Sequence, residues 1–125
     1  MDKEIIISAG EITASARLFD NETADAIWEA LPIDGTVHRW GDEIYFDIPV
    51  VIVEANDARQ EMQVGELGYW PSGNAFCIFF GPTPVSEGET PKAYSNVNPF
   101  GIVKQDPLVF LKINDGAPIK VVKGE

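Results

Sequence analysis

Apolar residues in this chain come only in short runs, and each run is closed within a strand's length by a turn former. EIIIS is closed at Ala9-Gly10, ITASARLF at Asp20-Asn21, EIYFDI at Pro49 and AFCIFF at Gly81-Pro82. Nine prolines and eleven glycines in 125 residues supply these breaks. Short apolar runs between breakers read as strands rather than helices. In ITASARLF, residues Ile12, Ala14, Ala16 and Leu18 share one face, as the two-residue period of a strand requires. Ala75 to Phe80 is apolar throughout, the pattern of a strand buried on both faces.

Two segments depart from this period. Ala24, Ile27, Trp28 and Leu31 recur at helical spacing, which predicts a helix over 23–31 with Asp20, Asn21 or Thr23 as its cap and Pro32 as its stop. Asp106-Pro107 predicts a second helix over 107–113, because proline at the first position gives up an N–H that has no partner there. Leu108 and Leu111, with Val109 or Phe110, are expected to pack inward. Between the helices, TVHRW and EIYFDI read as a hairpin about Gly41-Asp42. VVIVE resumes after Pro49, residues 55–63 form a polar excursion, and VGELGYW, FGIV and PIKVVK read as further strands. The proline-rich segment 82–99 reads as a long loop. The chain is thus a single domain over 1–125, mainly β, with about eight strands and two short helices, a composition of elements that suggests a barrel or a sandwich. Trp28, Phe46, Phe76, Ile78 and Phe80 are expected to be largely buried.

Charge and rare residues narrow the function. The formal net charge is −11, with no basic stripe to offset it, so a nucleic-acid partner is not expected. No apolar stretch approaches the ~20 residues of a membrane helix, so no membrane partner is expected either. The N-terminus, MDKEIIIS, does not read as a secretory leader. The single cysteine, Cys77, sits between Phe76 and Ile78 and reads as a small buried hydrophobe in a reducing, cytoplasmic protein. One histidine and one cysteine on unrelated strands do not make a metal site, and no cofactor-binding loop is present, so neither metal nor cofactor is expected. His38 reads as a partly buried histidine rather than a catalyst. Tyr69 and Trp70, beside Pro71, read as barrel-end packing or as a stacking surface.

Taken together, these segments resemble the cyclophilins, the barrel-shaped peptidyl-prolyl isomerases. GEITASARLFDNETADAIWEAL is similar to that family's opening strand, turn and first helix. Val37-His38-Arg39 resembles its Phe-His-Arg, VGELGYWPSGNAFCIFFG its central run, and Pro99-Phe100-Gly101-Ile102-Val103 its Val-Phe-Gly-Lys-Val. The resemblance is greater to a small bacterial and archaeal group of cyclophilin-like proteins, through Trp-Gly-Asp-Glu at 40–43, Gly-Tyr-Trp-Pro at 68–71 and Phe-Phe-Gly-Pro-Thr-Pro at 79–84. It implies a closed, cyclophilin-like β-barrel whose last strand, 118–123, lies near one of the first two.

The resemblance also implies a site. Rotation about a prolyl amide faces a barrier of roughly 18–20 kcal/mol, which a cationic donor near the prolyl nitrogen lowers by breaking amide resonance. Arg39 matches the family's catalytic arginine. The other matches fail: Ile44 and Tyr45 stand where the pocket has phenylalanine and methionine, Asp47 replaces a glutamine, Cys77 a second phenylalanine, and Val97 falls near the pocket histidine. An aspartate in reach of Arg39 would pair with its guanidinium and compete with a substrate amide. The expectation is therefore a groove near Arg39, lined by Tyr45, Asp47, Tyr69, Trp70, Phe100 and the 81–99 segment, that binds a small or peptide-like ligand with little or no isomerase activity. The alternative is a peptidyl-prolyl cis-trans isomerase using Arg39. A third reading is an enzyme acting on a small polar ligand through Arg39, Glu43 and Asp47.

Overall fold

The computed structural model describes residues 3–124. Its elements run β1 (Glu4–Ala9), β2 (Ile12–Leu18), α1 (Glu22–Ala30), β3 (Ile33–Thr36), β4 (His38–Arg39), β5 (Glu43–Asp47), β6 (Arg59–Glu61), β7 (Glu66–Trp70), β8 (Ala75–Phe79), β9 (Lys92–Val103), a 3-10 helix (Pro107–Lys112) and β10 (Pro118–Lys123). All pairings are antiparallel, in one ten-stranded sheet of order β3-β10-β1-β2-β9-β7-β8-β5-β4, with β6 on β9. The protein is mainly β with two short helices, and has ten strands rather than about eight. The last strand does lie on the first, Ile5 opposite Lys123 and Ser8 opposite Lys120. No ladder among the described residues joins the sheet's ends, β3 and β4.

Local chemistry explains the elements that sequence anticipates. The Asn21 side chain caps α1 by accepting from Ala24 N at 2.8 Å, and Asp106 caps the 3-10 helix by accepting from Leu108 N at 3.1 Å. Gly10 has φ +60° in the two-residue loop between β1 and β2, a conformation other L-residues rarely adopt. Inward residues of β1, β2, β5, β7, β8 and β10, with α1 above them, form the main core around Phe46, Phe76, Phe100 and Ile78. Phe76 stacks on Phe46 at 4.8 Å and meets Phe100 edge-on at 5.0 Å. Every residue of β8 is buried. Phe76 and Ile78 face the main core, while Ala75, Cys77 and Phe79 face a second cluster with Met62, Ala93 and Val97.

Four expectations are corrected. VVIVE is not a strand: Val51 and Val53 are exposed, and the segment is held by side chains instead. The Tyr69 hydroxyl donates to Val50 O at 2.6 Å and accepts from Ile52 N at 3.2 Å, while buried Asn98 accepts from Ala55 N at 2.8 Å and donates to Val53 O at 3.1 Å. The segment 82–99 is a loop only in its first half; from Lys92 it is the start of β9, which a bulge opposite Leu67-Gly68 carries past Pro99 into the main sheet. In the second helix, Phe110 is buried while Leu108 and Leu111 are exposed, because three residues per turn align Pro107, Phe110 and Ile113 along one edge. Trp28 is only partly buried, with the ammonium groups of Lys3 and Lys123 at 5.7 and 5.0 Å from its ring.

Candidate functional site

The hairpin Trp40-Gly41-Asp42-Glu43 sets the geometry of the site. Trp40 N donates to Glu43 O at 2.9 Å and Glu43 N to Trp40 O at 3.2 Å, which closes a two-residue loop. Gly41 takes φ +61°, and a β-carbon there would lie 2.8 Å from Pro84 Cδ, so both conformation and space call for glycine. Because strand residues alternate in direction, this loop puts Trp40, Glu43 and Tyr45 on the outer sheet face and Arg39, Ile44 and Phe46 on the inner one. Tyr45 pairs with Cys77 on β8, and Trp70 ends β7 alongside Ala75, so all four side chains share the outer face. The first half of β9, backed by β6, folds over that face and brings in Ala93, Tyr94 and Val97.

These residues line a cavity of about 220 Å³ that opens to solvent beside the exposed Tyr94: Trp40, Glu43, Tyr45, Trp70, Cys77, Ala93, Tyr94 and Val97. Its aromatic rings meet at near right angles: Trp40 with Tyr94 at 6.1 Å, Tyr94 with Trp70 at 6.0 Å and Trp70 with Tyr45 at 6.3 Å. Trp70 is held in place. Its indole N–H donates to Ser95 Oγ at 2.6 Å, and its ring lies so close on Gly73 that a β-carbon there would sit 2.5 Å away. Tyr45 is backed by the ring of His38 at 5.1 Å; His38 itself is exposed rather than partly buried.

Glu43 is the polar group of the cavity. It is 5% exposed, and its Oε1 is buried with no hydrogen-bond partner among the described residues. Loss of water raises its pKa from the ordinary 4.5 to about 8, with a smaller opposing effect from a Cys77 thiol hydrogen bond. The Cys77 thiol also lies 4.0 Å from Ala75 O, at the long limit for a sulfur donor. Burial, then the Glu43 charge, also pushes the Cys77 thiol well up, which leaves it a poor nucleophile. The Tyr45 hydroxyl is likewise raised, first by desolvation and then by Glu43, Cys77, Asp47 and Asp115.

The residues singled out from the sequence are divided by the structure. Tyr45 and Trp70 line the cavity, as does the later part of 81–99. Tyr69 and Phe100 are fully buried in the main core. Asp47 is exposed at the far end of β5. Arg39 points to the inner face, where its guanidinium is occupied: Nε donates to Gly41 O at 2.5 Å, Nη1 to Ile113 O at 3.1 Å and Leu111 O at 3.3 Å, and Nη2 to Asp42 Oδ1 at 3.1 Å. Its guanidinium carbon lies 5.1 Å from the ring centre of Phe80. The aspartate that pairs with it is thus Asp42, not Asp47. Trp40 and Cys77 were not singled out as ligand contacts, and Ala93 and Tyr94 only as part of 81–99. The Gly41-Asp42 loop carried the signal for Trp40, since it sets the parity of the strands on both sides. Among the described residues, no group of three or more histidine, cysteine, aspartate or glutamate side chains is placed to hold a metal ion.

Comparison with known proteins agrees with this architecture. The sequence model described as cyclophilin-like matches residues 3–122. The solution structure of a hypothetical protein from Archaeoglobus fulgidus superposes with a TM-score of 0.83 at 31% identity, over 98% of this chain and 95% of that one. No curated protein sequence matches the chain. A family match across nearly all of the sequence, joined to the same fold at that identity, establishes that the chain belongs to the cyclophilin-like family.

Proposed function

We propose that this protein is a small-ligand-binding domain on a cyclophilin-like scaffold, with little or no prolyl isomerase activity. The observation that carries the reading is the cavity under β9, where preset aromatic walls flank the Glu43 carboxyl, which is 5% exposed and whose Oε1 has no hydrogen-bond partner among the described residues. A buried polar group without a partner costs roughly 1–3 kcal/mol, a cost that a ligand donor would relieve. At about 220 Å³ the cavity favours a small molecule over a peptide. Arg39 lies on the other face with its donors engaged, which argues against its use on a prolyl amide. Of the trio Arg39, Glu43 and Asp47, Glu43 alone lines the cavity, so the third reading has little support.

Two finer readings accompany this one. The ends of the sheet, β3 and β4, are successive in the chain and separated by Val37 alone, which supports a barrel closed by chain continuity rather than by a ladder. The single buried thiol supports a reducing, cytoplasmic setting. Among the described residues, no helix is long and apolar enough to cross a membrane.

The test has two arms. A fragment panel screened by NMR should shift the indole resonances of Trp40 and Trp70 while sparing Trp28, and Xaa-Pro peptides in exchange or protease-coupled assays should show little or no turnover. Robust turnover abolished by Arg39→Ala would establish the isomerase alternative instead. A broad panel in which no fragment reaches Trp40 or Trp70 would remove the ligand site.

A further inference from the structure

We infer that the cavity receives a compact, protonated alkylamine, one N–H of which donates to Glu43 while its alkyl groups lie against the rings of Trp40, Tyr45, Trp70 and Tyr94. This deepens the ligand-binding reading of the cavity and rests on it. Three ligand classes can be separated by the lining. An anion finds no lysine or arginine among the lining residues and would face Glu43. A purely apolar molecule would fill the walls yet cover the lining Glu43 carboxyl without offering it a hydrogen-bond donor. A cation carrying both alkyl groups and an N–H satisfies both parts of the site.

The walls suit such a cation for a second reason. Aromatic faces attract cations through the ring quadrupole, most strongly at tryptophan, and the attraction grows as the ion is desolvated. Rings at interplanar angles of 73°, 81° and 75° turn successive walls around the cavity instead of stacking into one slab. Trp70 is fixed by Ser95 and Gly73 before any ligand arrives, so little ordering cost remains. A volume of about 220 Å³ suits a small amine. The net charge of −11 favours approach of a cation at low salt.

Charge coupling makes the inference specific. With no cation beside it, Glu43 holds its proton near neutral pH, because burial raises its pKa to about 8. The other titratable groups around it are Cys77 on β8, Tyr45 on its own strand and Tyr94 on β9, with Asp47 and Asp115 acting on Tyr45. A bound ammonium favours the carboxylate, so binding expels a proton below the pKa of Glu43 and affinity rises with pH until that group is ionised.

The probes are dimethylethylammonium, its neutral carbon isostere, and acetate, followed through the indole resonances of Trp40 and Trp70 and by calorimetry in buffers of different ionisation enthalpy. The ammonium is expected to bind at least tenfold more tightly than the isostere, with proton release at neutral pH, and acetate is expected not to bind. Glu43→Gln should remove the proton release and weaken the ammonium at least tenfold while leaving the isostere unchanged. Trp40→Leu keeps a smaller apolar side chain but removes a ring face, and should weaken the ammonium more than the isostere. Equal affinity for ammonium and isostere, or an ammonium affinity indifferent to both substitutions, would overturn the inference. Binding of the isostere at Trp40 and Trp70 would then show that the ligand-binding reading survives. No shift from any probe would overturn the inference, and the fragment panel would decide the reading separately.

Discussion

Replacing Glu43 by glutamine should make the protein more stable, and increasingly so as pH rises. Glutamine copies the shape of the protonated acid but carries no charge to bury. In the native state the carboxyl titrates at about 8 in place of 4.5, because burial disfavours its ionised form. The native protein therefore binds more protons than the unfolded chain between those values, and stability falls as pH climbs through that window. It is intact below the lower value and level again above the upper one. At 1.36 kcal/mol for each pH unit, the penalty grows to about 3 kcal/mol at neutral pH and about 5 kcal/mol once Glu43 is ionised in the native state as well. Other carboxylates of this acidic chain titrate too, but both proteins share them, so the difference between wild type and Glu43→Gln isolates the one group. Urea midpoints taken from about pH 4 to about pH 9, converted with a common slope, measure it. A difference that stays constant over this range would refute the burial argument. A reversed difference, with glutamine less stable at high pH, would mean that Glu43 has an internal cationic partner.

Arg39→Ala should lower stability by about 2–3 kcal/mol, less than its several charge-assisted bonds would suggest because a quarter of the side chain stays in water. Fragment shifts at Trp40 and Trp70 should persist in that variant, and their loss would place Arg39 in the site after all. Tyr69→Phe removes the hydroxyl that ties Val50 and Ile52, and should cost about 1–3 kcal/mol while speeding hydrogen exchange at Ile52. Unchanged exchange would show that the segment is held in some other way. Phe76→Ala should cost about 3–5 kcal/mol in a denaturant titration, since the ring is fully buried between Phe46 and Phe100. An unchanged midpoint would remove it from the core.

Much of the architecture is written in local chemistry. Alternation in ITASARL, the Asn21 cap, Pro107 after Asp106 and the Gly41-Asp42 loop each specify a short piece of backbone through forces acting within a few residues. Family likeness in the same segments was enough to anticipate a cyclophilin-like chain. Face parity was legible as well, since a two-residue loop commits Trp40, Glu43 and Tyr45 to one side and Arg39 to the other. The hydrophobic content of VVIVE misled because strand status needs a neighbouring ladder. Tyr69 and Asn98, distant in sequence, supply the backbone partners there instead.

What the chain could not declare by itself was which sheet face would be covered. The start of β9 is polar enough to read as loop, because only part of it is buried, and its pairing with β6 joins residues as far apart as Arg59 and Val97. That pairing lays Ala93, Tyr94 and Val97 over Glu43 and turns an outward carboxylate into a buried one. A separate long-range contact, with the end of the 3-10 helix, supplies Arg39 with the carbonyls of Leu111 and Ile113. Residue type and spacing determine which groups can meet on a strand face. Desolvation, which decides what those groups do chemically, belongs to whatever the rest of the chain packs on top of them.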